Sequence, residues 1–325
     1  MQFFKGTIIG MLALSTLWII LIFMQVGKPT LSSQWIADAY EHKITRAKSI
    51  EGTRLFIVGG SASLFGLDSA VLEKTYGLPT VNLGVNAGLL LPYILLKSQT
   101  VLKRDDIVIM PLEYHFYVHD GKPNVQMIDQ IFSRDPKFFN YLTLQEQLQM
   151  LWYITPQRLY DGFMAKGGTK SMMGPYGYAN LNAYGDQTHT SEEEAQQWAY
   201  DWESLKKELP RHYGHNSQND RGWKWLQSYI TWAKKEGICL IFTPPTMMND
   251  SFYETNPQEK EFYTTLKKKV ESLGVSFVGE PYTYMYDRKY YFNTDYHLNA
   301  VGRKLWTEDL MKDLGSDLRR NCSLK

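Results

Sequence analysis

Two short stretches hold residue types that could carry out acyl chemistry. In "FIVGGSASLFGLDSA", Phe56–Ala70, an apolar run ends in Gly59, Gly60 and Ser61. In "YYFNTDYHLNAVGRKLW", Tyr290–Trp306, Asp295 and His297 are separated by one residue. A serine hydroxyl is barely ionised at neutral pH and needs a base to act as a nucleophile. A neutral histidine can be that base if one ring nitrogen is fixed as a donor and the other is left to accept. Residues i and i+2 of an extended segment point the same way, so Asp295 is expected to fix the ring of His297. The reading is a triad of Ser61 nucleophile, His297 general base and Asp295 orienter. Asn299 is expected to cap the helix that follows. The competing reading is a structural glycine turn plus a capping loop.

The elements that must position these residues alternate regularly. Strands are expected over Arg54–Val58, Thr80–Val85, Asp106–Leu112, "ICLIFTPP" and "VSFVGEP". Helices are expected over Phe65–Tyr76, Leu89–Lys103, Arg221–Glu236, Pro257–Leu273 and Ala300–Leu314. Apolar runs alternating with amphipathic helices call for a parallel sheet covered on both faces, a three-layer α/β/α sandwich. Ligands collect at the carboxyl ends of such strands, and both motifs fall at those ends. The α/β domain is read as residues 53–112 and 220–325, interrupted by an insertion at 113–219 that serves as a lid, a substrate platform or a packing appendage. Within the insertion, Ser191 and Glu194 form a capping box ahead of a helix.

The chain has 325 residues, 44% apolar and 21% charged, with a net charge of +1. No basic patch argues for nucleic acid. Thr7–Val26 carries no charge, and at 1.5 Å per residue it spans about 30 Å, a hydrocarbon thickness. Residues 1–28 are read as an uncleaved signal anchor, the alternative being a cleaved signal peptide, with the bulky domain on the extracytoplasmic side. Residues 29–52 are read as a linker and an exposed helix. Of the two cysteines, Cys239 lies in a buried strand and Cys322 in the tail, so neither a disulfide nor a metal framework is expected from them. His115 and His119 are spaced i, i+4, but they leave a strand rather than ride a helix, so no metal site is assigned. Thr243 and Asn249 follow the fourth strand and could shape a pocket; a proline-stiffened loop is the alternative.

The Gly-Gly-Ser-x-x-x-x-Gly pattern, "NLGVNAG" after the second strand and "DYHLNAVG" before the last helix together resemble SGNH/GDSL hydrolases. The likeness is strongest to membrane-tethered members that act in O-acylation of surface polymers, the alginate O-acetylation proteins and the teichoic-acid D-alanylation protein among them. It covers roughly residues 53–112 and 220–315. The resemblance implies a five-stranded flavodoxin-like sheet and assigns the nucleophile to Ser61, with Ser63 as its rival. It places the oxyanion hole at the amides of Ser61 and Gly88, with Gly84 as the alternative to Gly88. It further implies an acyl-serine intermediate, a polysaccharide acceptor, the inner membrane as anchor, a polytopic membrane acyltransferase as acetyl donor, and no cofactor. The departures are specific. The family's Gly-x-Asn-Asp after strand three is "MPLEYHFY" here, with Pro111 and Glu113 where the glycine and asparagine would be. An ionised Glu113 cannot donate to an oxyanion. Glu113 and His115 are instead expected to face substrate. The alternative is a non-catalytic polysaccharide-binding or assembly subunit on the same fold.

Overall fold

Five short parallel strands form the sheet: β1 (Leu55–Ile57), β2 (Thr80–Asn82), β3 (Ile107–Met110), β4 (Cys239–Phe242) and β6 (Ser276–Phe277), in the order β2-β1-β3-β4-β6. A separate two-residue pair joins β5 (Met247–Met248) to β7 (Met285–Tyr286). The computed structural model describes residues 2–164, 176–191, 193–194, 205–316 and 318–322. Leu55, Ile57, Ile107, Ile109 and Ile241 are almost wholly buried, which is why these runs read as continuous rather than alternating. The strand order reverses between β1 and β3. In open parallel sheets the crevice beyond such a reversal is where ligands bind, and Ser61 and Glu113 follow those two strands.

The helices expected at Arg221–Glu236 and Ala300–Leu314 occur with those bounds. The single helix expected at Phe65–Tyr76 is two: α3 (Ser61–Gly66) and α4 (Ser69–Tyr76). Leu67 is extended between them, and the Asp68 carboxylate accepts from the Val71 amide to start α4. Gly66 is required here, because a side chain would run into the ring of Trp306.

By internal contacts the chain divides into two units, residues 1–37 with 122–172, and residues 38–121 with 173–325. The division therefore falls inside the segment 113–219, whose two ends belong to the α/β unit. The first unit holds α1 (Gln2–Phe23), whose Phe4–Phe23 stretch is long and apolar enough to cross a membrane, with a mean hydropathy of 2.2. It also holds α6 (Val125–Ser133), α7 (Leu144–Tyr153) and α8 (Pro156–Met164).

Two expectations are corrected. The helix after α1, α2 (Leu31–Ser49), is not exposed: Ala39, Tyr40, Lys43 and Ala47 form a buried face. Cys239 and Cys322 are joined in a disulfide, with Cα atoms 5.3 Å apart. The tail does not leave the domain. Leu318 packs into the core beside β4, and that contact returns Cys322 to the strand. Ser191 and Glu194 make the expected reciprocal capping bonds, while the body of their helix lies outside the described residues. α5 (Leu90–Gln99) completes the helices between β2 and β3.

Candidate active site

Ser61 is the first residue of α3 and is partly exposed. Its rival Ser63 is fully buried, and its Oγ has no hydrogen-bond partner among the described residues. The turn is held by the side chain that sequence reasoning cast as a defect. The Gly60 N–H donates to Glu113 Oε2 (3.0 Å) and the Ala62 N–H to Glu113 Oε1 (2.9 Å). The first amides of a helix lack intrahelical partners, and a carboxylate there is favoured by the helix dipole as well as by the bonds. Gly60 permits this approach: a Cβ would meet the Glu113 carboxylate and Ala87 at once. Burial raises the Glu113 carboxyl to about 7, with the amides of Ala62 and Gly60 working against the rise. Glu113 thus clamps the backbone on either side of Ser61 and does not face substrate.

At the other end of α3, Arg303 donates to the Phe65 carbonyl (3.0 Å) and Gln187 N–H to the Leu64 carbonyl (2.9 Å). Beneath the turn, Asn82 Nδ2 donates to the Ser63 carbonyl (2.8 Å) and to Asp186 Oδ1 (2.9 Å). Lys43 donates to the carbonyls of Asn82 (2.8 Å), Gly84 (2.6 Å) and Gly185 (2.6 Å). Burial pulls the Lys43 ammonium down to about 7, opposed by the charge of Asp186. These side chains lock the backbone that carries the serine.

His297 is buried, and its ring stacks face to face on Phe65, 4.1 Å between centroids and 4° between planes. Phe65 lies four residues beyond Ser61 on α3, and such residues are neighbours on one helix face. The stack therefore brings the histidine motif to the serine motif. Burial holds the imidazole down at about 3, far below its usual value.

The side chain that holds the His297 ring is Asn293, not the expected Asp295. His297 Nδ1 lies 2.7 Å from Asn293 Oδ1. An amide oxygen only accepts, so Nδ1 carries the proton and Nε2 presents a lone pair. Asn293 Nδ2 in turn donates to the Tyr176 hydroxyl (3.1 Å), and the Tyr176 ring stands edge-on to His297. Asp295 takes a two-pronged bond from Arg211 Nε and Nη2, both at 2.8 Å. The segment is a tight turn rather than an extended strand: the Phe292 N–H donates to the His297 carbonyl (2.7 Å), and Thr294 Oγ1 accepts from the His297 amide (3.1 Å). In such a turn residue 293 faces residue 297, and residue 295 faces away. Asn299 Oδ1 caps the last helix through the Gly302 N–H (3.0 Å), as expected.

The second expected oxyanion donor is already engaged. The Gly88 N–H donates to Asn86 Oδ1 (2.6 Å), and the Gly84 N–H to Asn82 Oδ1 (2.9 Å). Asparagine side chains readily accept from the amide two residues on. "NLGVNAG" is two such Asn-x-Gly turns in tandem. Of the expected pair, Ser61 and Gly88, only the Ser61 amide is taken by neither Glu113 nor an asparagine.

Half-buried His115 follows the clamp, tilted on Phe116 at 4.1 Å. Burial lowers its imidazole to about 3, helped by His119, while a bond to the Ala87 carbonyl opposes the shift. Since Ala87 also abuts Gly60, His115 lies near the same turn. His119 Nδ1 accepts from the Gly121 amide (2.9 Å). Thr243 is fully buried, and the Asn249 amide bonds the Tyr286 carbonyl (2.9 Å) beside the β5–β7 pair.

Asn293, Arg211, Tyr176 and Lys43 escaped sequence reasoning; only the paired Asn-x-Gly units left a readable signal. No family model matches the chain, and no curated protein does.

Proposed function

We propose that the chain is a membrane-anchored serine O-acyltransferase or esterase of the SGNH type, with Ser61 as nucleophile, His297 as base and Asn293 as orienter. The observation that carries the reading is the stack of His297 on Phe65, one turn from Ser61, with Nδ1 held by Asn293. As Ser61 Oγ attacks an acyl carbonyl, Nε2 takes its proton and returns it to the departing alcohol, leaving acyl-Ser61. A sugar hydroxyl, or water, then attacks; its proton passes to Nε2 and on to the departing Ser61 oxygen. Acetyl groups of a surface polysaccharide are the substrate this reading favours, delivered by a polytopic membrane acyltransferase.

Two features set the pace as slow. A neutral amide stabilises the imidazolium less than a carboxylate would. The Gly88 amide joins the oxyanion only if Asn86 releases it, and one missing donor costs about 10²–10³ in rate. The five-stranded parallel sheet is the one a flavodoxin-like fold requires and so supports the reading. The Cys239–Cys322 disulfide agrees with an oxidising compartment, because such bonds are rare in reducing ones, and so supports the extracytoplasmic side with α1 as anchor.

The engaged amides of Gly60, Ala62, Gly84 and Gly88 favour a second reading, a non-catalytic polysaccharide-binding or assembly subunit. An activated acetyl ester decides between them. The full chain in detergent is expected to release acetate and to gain one acetyl mass on the Ser61 peptide, and Ser61→Ala to do neither. Equal turnover by both overturns the catalytic reading.

A further inference from the structure

The unit built from residues 1–37 and 122–172 carries a second apolar surface that its own core does not use. On α7, Leu144, Leu148 and Trp152 recur every four residues and are 70%, 58% and 86% exposed. That spacing puts them on one helix face. The opposite side supplies the buried Met150, and Glu146 with Thr143 closes a capping box at the start. On α8, Tyr160, Phe163 and Met164 are exposed in the same way, while Leu159 faces inward. In the α/β unit, by contrast, the large apolar side chains exposed among the described residues are three scattered ones, Val71, Tyr178 and Val301. Contiguous exposed apolar surface marks a place where something other than water sits.

The same unit bears on what that is. Within four residues of the end of α1, the chain is tied to α6 and α8. The Gly27 N–H donates to the Phe132 carbonyl (2.7 Å), and Arg158 Nη1 donates to Gln25 Oε1 (3.2 Å). Arg158 also pairs with Asp129 of α6 (2.9 Å), whose carboxylate takes the hydroxyls of Ser32 (2.7 Å) and Thr30. At 1.5 Å per residue, four residues carry the chain about 6 Å beyond the spanning helix. A helix tied to that point lies at the level of the headgroups. The stripe mixes leucine with tryptophan and tyrosine, the residues that populate the membrane interface. α7 contains no lysine or arginine, so apolar area rather than attraction to anionic lipid would hold it.

We propose that the outward face of α7 and α8 is seated in the bilayer interface, with the boundary between lipid headgroups and acyl chains as its occupant. The inference rests on reading α1 as membrane-spanning. It makes this unit a platform attached to the membrane by a spanning helix and by an interfacial pair.

The test uses the full chain in phosphatidylcholine vesicles with one added cysteine labelled by an environment-sensitive fluorophore, the two native cysteines being joined to each other. Labels at Leu148→Cys and Trp152→Cys are expected to be quenched at least two-fold by nitroxide lipids and to resist aqueous iodide. Leu14→Cys, within α1, is expected to be quenched by the lipid; Glu271→Cys, on the α/β unit, only by iodide. If position 14 meets lipid while 148 and 152 meet iodide, the interfacial seat is wrong and the anchor stands. If 148 and 152 are shielded from both quenchers, a protein partner covers the face and the proposal fails. If position 14 does not meet lipid, the anchor fails and the seat with it.

Discussion

The serine turn and the histidine loop are positioned by opposite means. Around Ser61 the structure is fixed through backbone: Glu113 grips the amides of Gly60 and Ala62, Asn82 grips the Ser63 carbonyl, and Gly60 leaves no room for a side chain. Around His297 it is fixed through side chains: the Phe65 stack, the Asn293 amide and the Arg211–Asp295 pair. The difference teaches how charge is apportioned. Each region contains a buried carboxylate, and in each the carboxylate holds architecture. The imidazole is left to a neutral amide.

The largest effect that can break this contrast is on the histidine side. Asn293→Ala is expected to lower kcat by up to about 10⁴, the effect of a lost orienter, and to cost about 1–3 kcal/mol, because it strands the buried Nδ1–H of His297. Asp295→Ala is expected to cost stability alone. It leaves Arg211 only the more exposed Glu208 as a partner, at a cost of about 3 kcal/mol for a broken buried pair, while turnover well below the melting point stays near wild type. Measuring kcat and thermal unfolding for both variants decides it. An inactive but stable Asp295→Ala would restore aspartate as the orienter.

Next comes pH. Glu113 has a carboxyl raised to about 7 from 4.5, so the folded chain binds that proton more tightly than the unfolded one. Its contribution is full below about pH 4.5 and is lost as pH rises through 7. His297, lowered from 6.5 to about 3, has the opposite sign: its contribution is present above pH 6.5 and is lost as pH falls toward 3. Glu113→Gln is expected to cost about 1–3 kcal/mol, because its amide cannot accept from both N–H groups, and to remove the first slope. His297→Gln is expected to flatten the second. Denaturant unfolding across pH 4–8 reads both. The smallest effect is at the rival hydroxyl: Ser63→Ala should keep acetate release within about two-fold of wild type, since buried and unpartnered Oγ contributes no hydrogen bond to lose.

The parts legible in the sequence are those that depend on local pattern. Continuous apolar runs located β1, β3 and β4, amphipathic spacing bounded Arg221–Glu236, and the Asn299 cap marked the start of Ala300–Leu314. Asp68 as a helix cap could have been read from its spacing to Val71, and the two Asn-x-Gly units from their repetition. What was not legible depends on partners far along the chain. Arg211 lies 84 residues from the aspartate it captures, and nothing local to Asp295 announces the capture. Glu113 reads as an obstacle to an oxyanion until the amides it accepts from are known. The disulfide required the tail to fold back onto β4 through Leu318, a contact that composition does not signal.

The central claim is that His297 activates Ser61, and a fluorophosphonate tests it without knowledge of the acyl group or the acceptor. The full chain treated with the probe and digested is expected to carry the phosphonyl mass on the peptide containing Ser61, with labelling strongly reduced in His297→Ala and Asn293→Ala and retained in Asp295→Asn. Labelling on another serine, or labelling of Ser61 that persists unchanged without His297, would contradict it.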